Sequence, residues 1–298
     1  MAVDFTSPFT ERTPRIVQAG KLHRAAGRRK AGRFLVEGEN AVDAAVSTGA
    51  ATDVFVTEQA YQRFGDIVQV AGHLDVYVHA ITDKAAKALS DTVHSTEIFA
   101  VCTSVLWSVD KALRGRPRLV SVPVQTSEPG NAGTMIRVSD AVGADSVIFA
   151  GEAVDPLGGK VVRASAGSLF HIPVARDASV TGTIKRVKAK GLTILAATAD
   201  GDIDLDDAGD LLREPTAWLF GNEAHGLGPE LMELADHRVA IPIKGSAEEA
   251  IAGADHLVRI PIRGRAESLN LATAAAICLY ESAKAQHQAQ RQAQQHAE

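Results

Sequence analysis

Apolar residues recur along the chain in short runs, and between the runs the spacing changes to that of helices with one buried face. RFLVEG (33–38) reads as a strand entering a turn. ENAVDAAVSTG follows with apolar positions at Val42, Ala45 and Val46, one stripe of a helix. ATDVFVT (51–57) predicts a strand, AYQRFGDIVQVAG one helix, the alternation in LDVYVHAI (74–81) a further strand, TDKAAKALSDT a short helix, and EIFAVCTSVLW (97–107) a closing strand. DKALRGRPR, rich in charge and carrying Gly and Pro, marks a linker. A second alternation begins with the strand LVSVPV (119–124). Pro129 and Gly130 then turn the chain, Asn131 is placed to cap a helix, and Gly143 to end it before the strand DSVIFA. The helix TGTIKRVKAKG, the strand LTILAATA (192–199) and WLFG continue the series. Strands alternating with helices predict a mostly parallel sheet covered on both faces, with right-handed crossovers.

Two strands of this second series run into loops dense in Gly, Asn, Ser and Glu. They are WLFGNEAHGLGPE (218–230) and IPIRGRAESLNLATAAAICLYE (260–281). Loops of that composition after buried strands build ligand sites at the carboxyl edge of α/β sheets. The same region holds a tandem repeat: ADHRVAIPIKGSAE (235–248) matches ADHLVRIPIRGRAE (254–267) at ten of fourteen positions with an offset of 19. Ser268 and Asn270 follow only the second copy. The terminal QHQAQRQAQQHAE is Gln-rich and is expected to fray beyond the last helix.

Length and composition bound these readings. With 298 residues, 46% hydrophobic and 22% charged, the chain suits two soluble domains. The expected layout is a flexible basic arm over 1–20, a small α/β domain over 21–108, a linker over 109–117, the larger α/β domain over 118–285 and a tail over 286–298. No apolar run approaches the roughly 20 residues that span a bilayer, and the N-terminus lacks an apolar signal core, so a cytoplasmic protein without a membrane partner is expected. The net charge of −5 does not itself point to nucleic acid, but its distribution does. Eight Lys or Arg and no acidic residue fall between Arg12 and Arg33, and Lys111, Arg114, Arg116 and Arg118 form a second cluster. Arg24, Arg28, Arg29 and Lys30 are therefore candidate phosphate contacts. Cys102 and Cys278 make neither a disulfide framework nor a metal site and read as small core residues. Neither dinucleotide fingerprint, P-loop, zinc cluster nor nucleophile elbow occurs, so no metal is expected.

NAGTMIR (131–137), LFGNEAHGL (219–227) and the 260–281 segment are each weak signals, but in this order within one α/β domain they resemble the three motifs of the SpoU (TrmH-like) RNA 2′-O-ribose methyltransferases of the SPOUT superfamily. GRFLVEGENAVDAAV and ATDVFVTE are similar to that family's substrate-binding module of the ribosomal-protein L30e type. The resemblance implies a deep C-terminal trefoil knot, S-adenosyl-L-methionine as cofactor, a homodimer and an RNA substrate. It also implies roles. Asn131 and Arg137 match the first motif, with Arg137 activating the ribose hydroxyl. Gly221 and Glu223 match the second. Ser268, Leu269 and Asn270 match the third, where Leu269 and an upstream isoleucine cradle adenine. Ile260 of the second copy is assigned that place because it is contiguous with Ser268, with Ile241 of the first copy as the alternative. Leu195 and Thr198 end a strand toward the same crevice, and Arg163 resembles a position contacting RNA. Ser268 is expected both to cap the last helix and to contact the active centre.

Taken on its own, each of these residues also has a plainer reading: Arg137 as a surface phosphate partner, Glu223 as a favourable charge at a helix start, Gly221 as a tight turn. Ribosomal RNA is the expected substrate. The alternatives are a tRNA 2′-O-methyltransferase, and a non-catalytic RNA-binding or assembly factor on the same fold.

Overall fold

A computed structural model of the chain describes residues 3–198, 203–222, 227, 235–240, 258–259 and 269–295. They divide into two compact units. One comprises Met1–Val105 with Asp155–His171, the other Leu106–Val154 with Ile172–Glu298.

The first unit is a mixed four-stranded sheet of β1 (Arg33–Glu37), β2 (Ala51–Val56), β3 (Tyr77–Ala80) and β4 (Ile98–Thr103), ordered β1-β4-β2-β3. β4 runs antiparallel to β1 and β2, and β3 parallel to β2. Its helices are α1 (Pro14–Gly20), α2 (Ala25–Ala31), α3 (Glu39–Ser47), α4 (Glu58–Arg63), α5 (Gly65–His73) and α6 (Asp83–Leu89). Thr57 and Thr82 cap α4 and α6 by accepting hydrogen bonds from the Ala60 and Ala85 amides. The single helix expected over 60–72 is two, because Phe64 leaves helical backbone angles between them. Residues 9–20 are not a loose arm. Phe9 bridges to Ile81, and Ile16 and Ala19 of α1 are buried with Leu22, Phe55 and Phe99 in the unit's core. The apolar face of α1 outweighs the basic composition around it.

The second unit is built on an eight-stranded sheet. Its strands are β5 (Leu119–Pro123), β6 (Ser146–Ala150), β7 (Val174–Asp177), β8 (Thr193–Thr198), β9 (Ile203–Asp204), β10 (Thr216–Phe220), β11 (His237–Ala240) and β12 (Val258–Arg259), ordered β12-β9-β11-β8-β10-β5-β6-β7. Every neighbouring pair described is parallel. β5, β6 and β10 are buried at every position, as strands covered on both faces must be. The helices are α7 (Val109–Ala112), α8 (Pro129–Ala141), α10 (Val180–Lys188) and α11 (Leu271–Gln295), while α9 (Gly159–Ala164) lies in the segment that clusters with the first unit. Val109, Ala112 and Leu113 are buried in the second unit's core, so the segment read as a linker is part of that unit.

Both copies of the tandem repeat supply a strand. β11, from the first copy, lies directly beside β8 over four residue pairs; β12, from the second, is the outermost strand. Val239 and Val258, equivalent across the repeat, both pair with Ile203 from opposite sides of β9.

The Gln-rich tail is not frayed, since α11 continues to Gln295. Its buried face recurs at Ala272, Ala275, Leu279, Ser282 and Gln286. The Trp218 indole N–H donates to Ser282 Oγ at 2.8 Å, and the Gln286 amide donates to the carbonyls of Arg118 (3.0 Å) and Glu214 (2.9 Å). Gln286 thereby gives the Glu214 carbonyl before β10 a partner and adds a second hydrogen bond to the Arg118 carbonyl before β5, which also accepts from the Thr216 amide at 2.8 Å. Cys102 in β4 and Cys278 in α11 are free and fully buried, and burial pushes both thiols well above the ordinary range.

Candidate active site

The site is assembled where β5 and β10 end. After β5 the chain reaches Gln125, which holds a left-handed φ of 50°, unusual for a residue with a side chain. Its amide donates to the Ala150 carbonyl at the end of β6 (2.9 Å), and its carbonyl accepts from Asn222 Nδ2 just after β10 (2.8 Å). One strained residue thus joins three strand ends. Backbone strain of this kind concentrates at functional sites. Nothing in the residue type Gln signals it.

Asn131 is not the cap of α8. Glu128 is, accepting from the Gly130 amide at 3.2 Å, because Pro129 fits the first helical position and starts the helix earlier than expected. Asn131 consequently sits inside the first turn, where its side-chain oxygen accepts a 2.9 Å hydrogen bond from Asn270 Nδ2. Asn270 is itself the cap of α11: its Oδ1 accepts from the amides of Ala272 (2.9 Å) and Thr273 (3.3 Å). The expectation that Ser268 caps this helix is corrected. The helix starts at Leu271, which gives the capping position to Asn270.

Arg137 lies two turns further along α8, exposed, and among the described residues no hydrogen bond or ion pair engages it. Gly221 is buried immediately after β10. Leu195 is fully buried in mid-strand, whereas Thr198 is partly exposed at the carboxyl end of β8, and Leu269 directly precedes the α11 cap. Glu223, Ser268, Ile241 and Ile260 lie outside the described residues.

The basic candidates separate. Arg24, Arg29 and Lys30 are exposed, but Arg28 is buried. Its guanidinium meets Asp155 at 2.6 Å and donates to the carbonyls of Leu22 (2.9 Å) and His23 (2.8 Å), so Arg28 is a structural clamp and not a phosphate contact. Arg163 is paired with Asp91 and lies 3.8 Å from Glu37 within the first unit.

The described loops at the carboxyl edge, over 124–128, 151–154, 221–222 and 269–270, carry Glu128 and Glu152 and no lysine or arginine. Thr126 is buried with its hydroxyl unpartnered. Beside these loops Arg176 of β7 donates from its guanidinium to the Ala153 carbonyl at 2.6 Å, a fixed cation at this edge. Among the described residues no group of His, Cys, Asp or Glu could hold a metal ion.

The chain matches the SpoU rRNA Methylase family over residues 118–249 and 244–280, together more than half of its 298 residues. It belongs to that family. The two matched stretches overlap at 244–249, inside the tandem repeat. Residues 13–100 match the MRM3-like substrate binding domain. A Bacillus subtilis relative named 23S rRNA (guanosine(2553)-2′-O)-methyltransferase RlmP is 30% identical over 87% of this chain and 92% of its own. Two solved structures are similar along most of their length. The SpoU methyltransferase AviRb from Streptomyces viridochromogenes, in complex with the cofactor AdoMet, is 27% identical with a TM-score of 0.74, covering 91% of this chain and 98% of that one. The AdoMet-bound rRNA methyltransferase from Sinorhizobium meliloti is 26% identical with a TM-score of 0.72, covering 95% and 97%. The expected family and α/β class are borne out, and S-adenosylmethionine is the cofactor of this fold.

Proposed function

We propose that the protein transfers a methyl group from S-adenosylmethionine to a ribose 2′-oxygen of 23S ribosomal RNA. In this reading it works as a cytoplasmic homodimer whose catalytic unit carries a deep trefoil knot. The observation that carries the reading is the Asn131–Asn270 hydrogen bond, which joins the first and third polar segments of the family pattern at one end of the sheet. The RlmP relative supports the RNA class, and the AdoMet-bound neighbours support the cofactor.

S-adenosylmethionine, when bound, supplies a methyl that is already electrophilic. The chain must align a poor nucleophile and ease the loss of its proton. Arg137 is exposed on α8, and a guanidinium stays charged because its pKa lies above ~12. It is therefore assigned to hold the hydroxyl and a neighbouring phosphate and to stabilise charge growing on the oxygen, while Glu223 or a water takes the proton. Asn131 and Asn270 fix each other's amides beside the cofactor loop. Gly221, Thr198, Leu269 and one of Ile241 or Ile260 line the cofactor side, with Leu195 behind them and Ser268 beside the reacting centre.

The test is transfer of labelled methyl to 23S rRNA, with tRNA as a parallel substrate, followed by mapping of the 2′-O-methyl position. Arg137→Ala should lower kcat by at least about 100-fold while calorimetry shows unchanged cofactor affinity. Turnover near wild type would remove Arg137 from the reaction. Methylation of tRNA alone would move the substrate.

A further inference from the structure

Within the second unit a groove of about 740 Å³ lies between α11 and the amino edge of the sheet, at the end of β5 away from the candidate active site. One wall is α11, whose Tyr280, Lys284, His287 and Arg291 follow at steps of four, three and four and so share a helix face. The other wall is Arg116 and Arg118 before β5, with Gly143 and Asp145 before β6. Tyr280 is 58% exposed. Arg116, Arg118, Lys284 and Arg291 face a single carboxylate among the lining residues, Asp145, which accepts from the amides of Arg118 (2.7 Å) and Leu119 (2.9 Å). Lys284 is paired with Glu281 at 2.9 Å, whereas Arg118 donates to the neutral Arg213 carbonyl and keeps its charge. Among the described residues no hydrogen bond or ion pair engages Arg116 or Arg291. The helix also outruns its own core: none of residues 287–295 is buried, a projection of roughly 13 Å. No acidic residue falls between Glu281 and Glu298.

A helix end that is polar all round gains nothing from the core, so its stabilisation falls to a partner outside the unit. Unpaired cations on a chain of net charge −5 make that partner an anion. A second copy docked through this face about a two-fold axis would set like charges against like. Cations spread along a groove, with an exposed aromatic ring on its wall, match a strand of phosphates whose bases are free to stack. We infer that this groove holds an unpaired segment of RNA, with phosphates on Arg116 and Arg291 and a base on Tyr280. The inference rests on the RNA-methyltransferase reading. It adds a contact at the opposite end of β5 from the reacting centre, so that one RNA is held at both edges of the sheet.

The experiment is fluorescence anisotropy on the full chain with a short unpaired mixed-sequence RNA, over a series of salt concentrations, and with the same strand annealed to its complement. Cofactor calorimetry, thermal melting and sedimentation run beside it. Arg116→Ala combined with Arg291→Ala should flatten the logarithmic salt slope for the unpaired strand by about 1.4, two phosphate contacts at about 0.7 each. Tyr280→Ala should weaken that strand about tenfold and leave the duplex alone, while Tyr280→Phe binds as the wild type does. Cofactor affinity, melting temperature and sedimenting mass should stay in place throughout. If Tyr280→Ala lowers the melting temperature, the arginine pair alone decides the matter. An unchanged slope, or a normally melting Tyr280→Ala that binds the strand as before, overturns the inference while leaving the enzyme reading intact. A lower sedimenting mass in either variant would make this face an interface between copies and overturns it too. So does a wild type that methylates 23S rRNA without affinity for the unpaired strand. One that neither binds nor methylates RNA sinks both readings.

Discussion

Asn270 serves two ends with one amide: its oxygen caps α11 and its nitrogen holds Asn131. The two roles separate by mutation. Asn131→Ala removes the link but spares the cap, whereas Asn270→Ala removes both and should cost about 1 kcal/mol more in chemical denaturation. Both should depress methyl transfer. If Asn270→Ala is no less stable than Asn131→Ala, the cap contributes nothing. The sequence singles out Asn131 and Asn270 because the short polar segments that carry them resemble a family pattern, and the structure brings the two side chains together. Their mutual bond is not legible in the sequence, since 139 residues separate them. The misreading of Asn131 as a cap shows how one residue, Pro129, can move a helix start and turn a terminal role into an interior one. Gln125 was invisible for another reason: its left-handed backbone is imposed by three strand ends meeting, and no side-chain preference announces it.

At the scale of elements, strands with continuous apolar runs were read well, because burial on both faces leaves little choice of residue. The errors fall where polar composition conceals an apolar stripe. Composition predicts an arm where α1 lies and a tail where α11 ends, although Ile16 and Gln286 are both buried. The tandem repeat raised a question that composition could not answer, namely which copy joins the sheet. Both do, but β11 has the interior position beside β8, and Asp236 just before it accepts from the Ile194 amide at 3.0 Å. β12 adds an edge. Deleting 249–267, one repeat length, would join Glu248 to Ser268 and leave IPIKGSAESLN, a single strand-and-loop running straight into α11. That variant should bind S-adenosylmethionine within about threefold of wild type, since the interior ladder is untouched and edge pairs contribute little. Loss of cofactor binding would show that the second copy holds the adenine loop.

For the whole molecule, a net charge of −5 coexists with a basic cluster whose members are not equivalent. Arg24, Arg29 and Lys30 are exposed, whereas Arg28 is sealed against Asp155. Replacing the three exposed residues by alanine should flatten the logarithmic salt dependence of single-stranded RNA binding by about 2. Arg28→Ala should instead leave the slope alone and destabilise the first unit by about 3 kcal/mol, because it strands a carboxylate in a partly buried site. An unchanged slope in the triple variant would place the RNA elsewhere.

The two cysteines are distributed one to each unit, Cys102 in the first and Cys278 in the second, both sealed and both held as thiols by burial. Alkylation needs the thiolate, which attacks the reagent's carbon and displaces iodide, so each sulfur reacts only when its own unit opens. The wild-type chain therefore carries a pair of internal clocks. A timed pulse of iodoacetamide, read peptide by peptide in a mass spectrometer, would report how often each unit opens without a single engineered label.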